Sequence, residues 1–245
     1  PQGGHLHPLA YARGLAYAAL SAGAWIHEGT EALEIDGATV RTARGAVRAD
    51  RVIVACNGYL GRLLPEVAAK VMPINNFVLA TEPLSEDRAR SLIRDYVAVA
   101  DSRFVVNYFR LSEDRRMIFG GGESYGWKFP QDLKSFVRGK MLKLFPQLSD
   151  VAVSHAWGGT LAITPTRLPV WGEIRPGVFN ASGYSGSGVA LATMAGPILA
   201  EALAGDRRRL DVMSRLPVPG FPGGTLLRRP TLLAAMTFAR LRDSF

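Results

Sequence analysis

The chain has 245 residues, 48% hydrophobic and 20% charged, a globular composition long enough for one large domain or two small ones. Its formal charge of +8 comes from scattered arginines with short clusters such as Arg207, Arg208 and Arg209; without zinc spacing, a basic helix or aromatic-basic interleaving, this reads as a solvated basic surface and not a nucleic-acid groove. The single cysteine, Cys56, excludes an intrachain disulfide framework, and neither a bilayer-length apolar run nor a charged lead into an apolar signal core is present, so the expectation is a cytoplasmic protein without a transmembrane segment.

In chain order, the opening Pro1 to Pro8 is turn-like and bears two histidines, as if the chain starts in mid-fold. Pro8 suits the first turn of a helix through Leu9, Ala16 and Leu20 that stops at Gly23, with an alanine-rich face suited to close packing. Val40 to Val47 predicts a hairpin about Arg44-Gly45. Arg51 to Ala55 is a continuous apolar strand of the type buried on both faces, in a parallel or mixed sheet.

From Val71 to Thr160 the pattern predicts an antiparallel α+β region. Its strands are Asn76 to Thr81, Phe104 to Arg110 and Arg116 to Gly121, and its helices Ser85 to Ile93 and Asp132 to Leu144. Val178 to Ala181 then predicts a strand, followed by a glycine-rich turn and a helix over Val189 to Leu203 that returns to the first sheet. A Pro/Gly-rich stretch after Leu216 precedes a short helix over Leu232 to Arg242.

The strand, turn and helix from Phe179 to Ala190 carry the chemical signal. Small residues there let backbone approach a ligand, and free N–H groups at a helix start favour negative charge. A tight packing turn uses glycine in the same way. A second series, Gly120-Gly121-Gly122-Glu123-Ser124-Tyr125-Gly126, lacks the immediate helix that a phosphate loop requires, since Trp127, Phe129 and Pro130 follow it. Val52 to Gly58 is a strand ending in small and polar residues, with Cys56 an unactivated thiol. His5 and His7 share one side of an extended segment but lack a third ligand, so no metal site is expected. The spacing of Gly183-Tyr184-Ser185-Gly186 does not form a Gly-x-Ser-x-Gly nucleophile elbow.

These elements resemble the FAD-dependent D-amino-acid oxidase superfamily, and within it the gamma-glutamylputrescine oxidase-like branch of putrescine catabolism. The resemblance rests on Gly3 to Leu9, Val54 to Gly58, Trp157 to Thr160 with Ile163 to Pro169, Gly183 to Val189, and the tail elements Phe221 to Gly224 and Leu241 to Asp243, in that order. It implies a partial Rossmann-like FAD domain in residues 1–70 and 161–215, without its N-terminal Gly-x-Gly-x-x-Gly unit. It further implies an antiparallel substrate domain in residues 71–160, and a tail with a helix in residues 216–245. The missing segment would come from the same or a partner chain, or be lacking altogether in a truncated, inactive product.

By the same resemblance Ala55, Asn57, Gly58, Gly183, Tyr184, Ser185, Gly186, Gly188 and Val189 contact a non-covalent FAD. Ser187 stands where the family often has histidine. His7, Tyr108, Arg110 and Trp157 lie on the substrate side. The arginine that clamps an amino-acid carboxylate in relatives falls near Leu161 here, which favours an amine on a polar tail, such as a gamma-glutamylated polyamine. The implied reaction passes hydride from the carbon beside a neutral amine to flavin N5; the imine hydrolyses, and oxygen regenerates the flavin. Two other readings stand beside it: a dehydrogenase of the same fold that passes electrons to a quinone, and a non-catalytic subunit that holds no flavin.

Overall fold

A computed structural model describes residues 4–103, 106–124, 128–227 and 230. Helix α1 (Pro8–Ser21) is followed by β1 (Ala32–Asp36), β2 (Thr39–Thr42), β3 (Gly45–Arg48), β4 (Val52–Val54) and the short α2 (Pro65–Ala68). Next come β5 (Met72–Thr81), α3 (Glu86–Leu92), β6 (Val99–Ala100), β7 (Tyr108–Leu111), β8 (Met117–Ser124), α4 (Leu133–Leu144) and β9 (Val153–Ile163). Strands β10 (Val170–Arg175) and β11 (Val178–Ser182) precede α5 (Gly188–Leu203) and α6 (Arg208–Ser214). Among the described residues the chain divides into two compact units, one of residues 4–5 and 74–160, the other of residues 6–73 and 161–230.

The first unit is built on a five-stranded sheet of order β6-β7-β8-β5-β9. Alternation along the strands sends Phe77, Leu79, Leu111, Met117 and Phe119 to one face, where they are fully buried with Val137 and Met141 of α4. Phe109 stacks on Phe119 at 6.0 Å and meets the edge of Phe145 at 4.9 Å. Asp132 starts α4 by accepting the Ser135 N–H at 3.0 Å, and Ser85 starts α3 by accepting the Arg88 N–H. Gly120, Gly121 and Gly122 lie inside β8, where an added Cβ would meet Tyr108, Asn107 and Lys140 with Phe136, respectively. These glycines admit neighbouring side chains. Of the strand expected over Phe104 to Arg110, the first two residues lie outside the described ones, and regular pairing begins at Tyr108.

The second unit carries a β10-β11-β4 sheet in which β11 runs antiparallel to β10 and parallel to β4. One face packs Val52, Val54, Val170 and Val178 against Leu60, Leu64 and Val67. The other packs Trp171, Phe179 and Ala181 against Ala195, Ile198 and Leu199 of α5 and Leu210 of α6. Strand β11 is therefore buried on both faces. The same expectation for β4 is corrected: Val52 and Val54 are buried but Ile53 remains 43% exposed, because the helical layer covering β10 and β11 does not enclose it.

Helix α1 forms where Pro8 and Gly23 predicted it. His7 Nδ1 accepts the Ala10 N–H at 3.3 Å, and Gly23 follows the helix with φ +88°. The close packing expected of its alanine-rich face is absent, for no α1 residue is buried and Leu9 and Tyr17 are 61% and 60% exposed. The Arg44-Gly45 hairpin is present, with Val40 opposite Val47. No described helix is long and apolar enough to cross a membrane. The helix expected over Leu232 to Arg242 lies outside the described residues.

Candidate functional site

Parallel strands place their C-terminal ends side by side, and ligands of open α/β sheets bind beyond those ends. In the second unit Val52, Ile53 and Val54 of β4 pair with Val178, Phe179 and Asn180 of β11, so the turns after both strands leave the sheet together. Asn57 adopts φ +46°, a left-handed conformation that asparagine tolerates, and its Oδ1 accepts the Gly183 N–H at 3.1 Å. That bond brings the strand-end residues Ala55, Asn57 and Gly58 to the turn starting at Gly183. Cys56 sits between them, and burial pushes its thiol pKa up, consistent with an unactivated thiol.

Gly183 has φ +78°, and an added Cβ would stand 2.8 Å from Thr164 Cγ2, so conformation and space both select glycine. Tyr184 points inward: its hydroxyl donates to the Ala181 carbonyl at 2.9 Å, its ring meets Trp171 edge-on, and burial raises its pKa. Only its backbone remains for a ligand. Ser185, at φ +51°, donates its N–H to the Ala162 carbonyl at 3.0 Å, while its Oγ accepts the Thr164 N–H at 3.2 Å. It is a clasp for the turn. Gly186 has φ +98° and open space where a Cβ would stand.

Helix α5 then starts without a side-chain cap. Among the described residues the Gly188, Val189 and Ala190 N–H groups have no hydrogen-bond acceptor, and the first bond of the helix runs from Leu191 N–H to the Ser187 carbonyl at 3.1 Å. Val189 is 48% exposed. Three unbonded donors at the positive end of a sixteen-residue helix can receive an anionic or carbonyl-rich group, and the bare Gly186 lets a flat ligand approach. This fits the electron-rich edge of a reduced isoalloxazine.

In the first unit Phe109 and Leu111 face the core, so alternation along β7 puts Tyr108 and Arg110 on the opposite face. Tyr108 lies opposite Gly120, its ring occupying the space a Cβ would fill, and its hydroxyl donates to Asn76 Oδ1. Arg110 lies opposite Ile118. On β9, Ala156 packs against the core and a Cβ at Gly158 would meet Phe77, which assigns the intervening Trp157, 46% exposed, to that same outer face. Three of the four substrate-side candidates thus share one face of one sheet. The fourth, His7, belongs to the other unit, where its Nδ1 caps α1.

Sequence reasoning missed Thr164 and Asn76, which fix the turn and the tyrosine ring; each acts across a distance that local patterning does not encode. His5 Nε2 donates to the Tyr96 carbonyl at 2.9 Å, and among the described residues no cluster of metal-ligating side chains occurs.

A family profile described as DAO, FAD dependent oxidoreductase, matches residues 1–202. The chain is 44% identical over 246 residues to the probable oxidoreductase OrdL of Rhizobium meliloti (strain 1021), covering 99% of this chain and 57% of that protein. It is 42% identical over 245 residues to gamma-glutamylputrescine oxidoreductase of Escherichia coli (strain K12), covering 98% and 58%. It therefore spans less than two thirds of the length of these relatives. Its fold is similar to L-proline dehydrogenase from P. horikoshii, at TM-score 0.69 and 21% identity over 85% of this chain and 59% of that one. It is also similar to glycine oxidase from Geobacillus kaustophilus, at TM-score 0.69 and 23% identity over 82% and 55%.

Proposed function

The chain belongs to the DAO family of FAD dependent oxidoreductases, and from that premise we propose that it forms the flavin-contacting and substrate-side parts of an amine-oxidising enzyme. On this reading residues 1–70 and 161–215 hold the isoalloxazine end of a non-covalent FAD, residues 71–160 cover the substrate, and residues 216–245 form a tail. The ADP half is held by a segment of the same or a partner chain outside these 245 residues. When bound, FAD supplies the acceptor for a hydride equivalent from the carbon beside the amine nitrogen.

The observation that carries the reading is the joined pair of turns. Asn57 ties the end of β4 to Gly183 at the end of β11, and the unbonded N–H groups of Gly188, Val189 and Ala190 follow at once. Those N–H groups favour negative charge on a ligand lying against them. Ala55, Gly58 and Gly186 offer it backbone without bulk, while Tyr184 and Ser185 hold the turn's shape from behind. On this reading Tyr108, Arg110 and Trp157 of the first unit, and His7 of the second, belong to the substrate side. The branch of the family favours an amine on a polar tail, of the gamma-glutamylputrescine kind, supported by the 42% identity to a relative bearing that name.

The test is anaerobic mixing of the FAD-loaded protein with gamma-glutamylputrescine, putrescine and D-alanine while following flavin absorbance, then admission of air. Bleaching by the acylated diamine, recovery in air and peroxide release are expected. Bleaching without recovery in air would replace oxygen with another acceptor such as a quinone. A protein that takes up no FAD, or whose flavin no amine bleaches, would overturn the proposal.

A further inference from the structure

A guanidinium withdrawn from water needs an anion or strong acceptors, because an uncompensated buried charge is strongly unfavourable. In the first unit the half-buried Arg88 and Arg116 stand within 4 Å of a carboxylate, and the half-buried Arg115 and Arg138 donate to the distant Leu84 and Ser149 carbonyls instead. Arg110 has no such partner beyond its own strand among the described residues. It is half-buried on the outer face of β7, and among the described residues its hydrogen bonding is one long contact from Nη1 to the adjacent Leu111 carbonyl at 3.4 Å. No carboxylate lies within ion-pair distance of it among those residues.

Its surroundings are those of a recognition surface. Tyr108, two residues away and about 7 Å along the same face, is locked over Gly120 by its bond to Asn76. Ile118 stands opposite Arg110, and Trp157 projects from the same face three strands away on β9. A charged fork beside fixed aromatic and aliphatic groups suits a planar anion attached to an apolar linker, and a guanidinium binds a carboxylate through two parallel N–H···O bonds.

We propose that Arg110 recognises a carboxylate on the tail of the substrate, remote from the amine that is oxidised, and so selects amines carrying an anionic tail over neutral ones. The inference rests on the amine-oxidase reading for the reacting end of the molecule. It differs from a clamp on the carboxylate of an amino acid, in which the anion sits on the oxidised carbon itself. The bound ligand supplies the missing counter-ion, so the selectivity weakens at high ionic strength.

Two measurements separate this inference from the reading beneath it. Calorimetric titration of the full chain with glutarate should show salt-sensitive binding, with glutaramide weaker by about tenfold or more; R110Q should lose about 10–100-fold in affinity for glutarate and R110K part of that. In turnover, the ratio of kcat/KM for glutaryl-putrescine to that for its terminal carboxamide should exceed about ten and fall towards one in R110Q. Equal glutarate binding by wild type and R110Q, or none by wild type, overturns the role of Arg110 whatever the enzyme oxidises. Glutarate binding that depends on Arg110, with no amine oxidised, leaves the anion site standing and removes the amine-oxidase reading.

Discussion

Helix α1 carries the larger share of apolar residues, yet it is α4 that joins a buried core. In α4, Val137 and Met141 disappear into a core shared with Phe77, Phe119 and Leu148. In α1 nothing is buried, and Leu9, Leu15, Tyr17 and Leu20 all stand open. The stability of α4 comes from tertiary packing, whereas α1 rests on its proline start, the His7 cap, its glycine stop and helix-favouring alanines. Amphipathic pattern alone therefore does not say whether a helix supports its own unit.

The largest test of that contrast is in the core. F119A should destabilise the protein by about 3–5 kcal/mol in urea unfolding, since the ring is fully buried between two other phenylalanines. A loss near zero would mean the first unit collapses around the cavity. Next come the two glycines of the turn. G183A combines a left-handed backbone with a clash at Thr164 and should destabilise by about 1–3 kcal/mol and abolish FAD uptake. G186A has open space around its Cβ and carries the backbone strain alone, about 1–2 kcal/mol. Equal FAD titrations for the two variants would separate the turn's shape from flavin retention.

On α1, L9S or Y17S should shift stability by less than about 0.5 kcal/mol; a larger loss in thermal melts would show that this face is covered in solution. The smallest effect is at Asp206. Arg208 beside it holds its carboxyl at about 2, against about 3.9 for an unperturbed aspartate. A carboxyl with a depressed folded pKa contributes stability above the unfolded value and loses it as pH falls through the folded one. Melting temperature between pH 5 and 2 should thus fall slightly more steeply for the parent than for D206N, a difference erased by salt. Parallel curves at low salt would assign this exposed pair no contribution.

Where a local rule decided the outcome, the chain was legible. Pro8 and Gly23 bracket α1, Asp132 starts α4, Arg44-Gly45 makes the hairpin, and the glycines after Val178 to Ala181 mark a turn into α5. Strands β9 and β10 escaped notice because glycine interrupts their apolar pattern. Gly158 is present because the Phe77 and Phe129 rings occupy its Cβ position, and Gly172 because it has φ +146° with Ser214 close by. Ile53 and the alanines of α1 misled for a common reason: hydrophobicity reports what can be buried, while burial depends on which elements are there to cover it. At the site, the glycine pattern marked the turn and the family resemblance implied a flavin. Neither revealed that Tyr184 faces inward or that Ser185 is bonded to Thr164.

The bond between Asn57 and the Gly183 N–H joins residues 126 positions apart, and this sets a time as well as a shape. During synthesis β4, which leads to Asn57, is made well before β11, its parallel partner in the sheet. Contacts so distant in sequence form slowly and only after the intervening chain is in place. Closing this cradle therefore waits for the whole stretch between the two turns, and β4 goes without its β11 pairing until that stretch has been made.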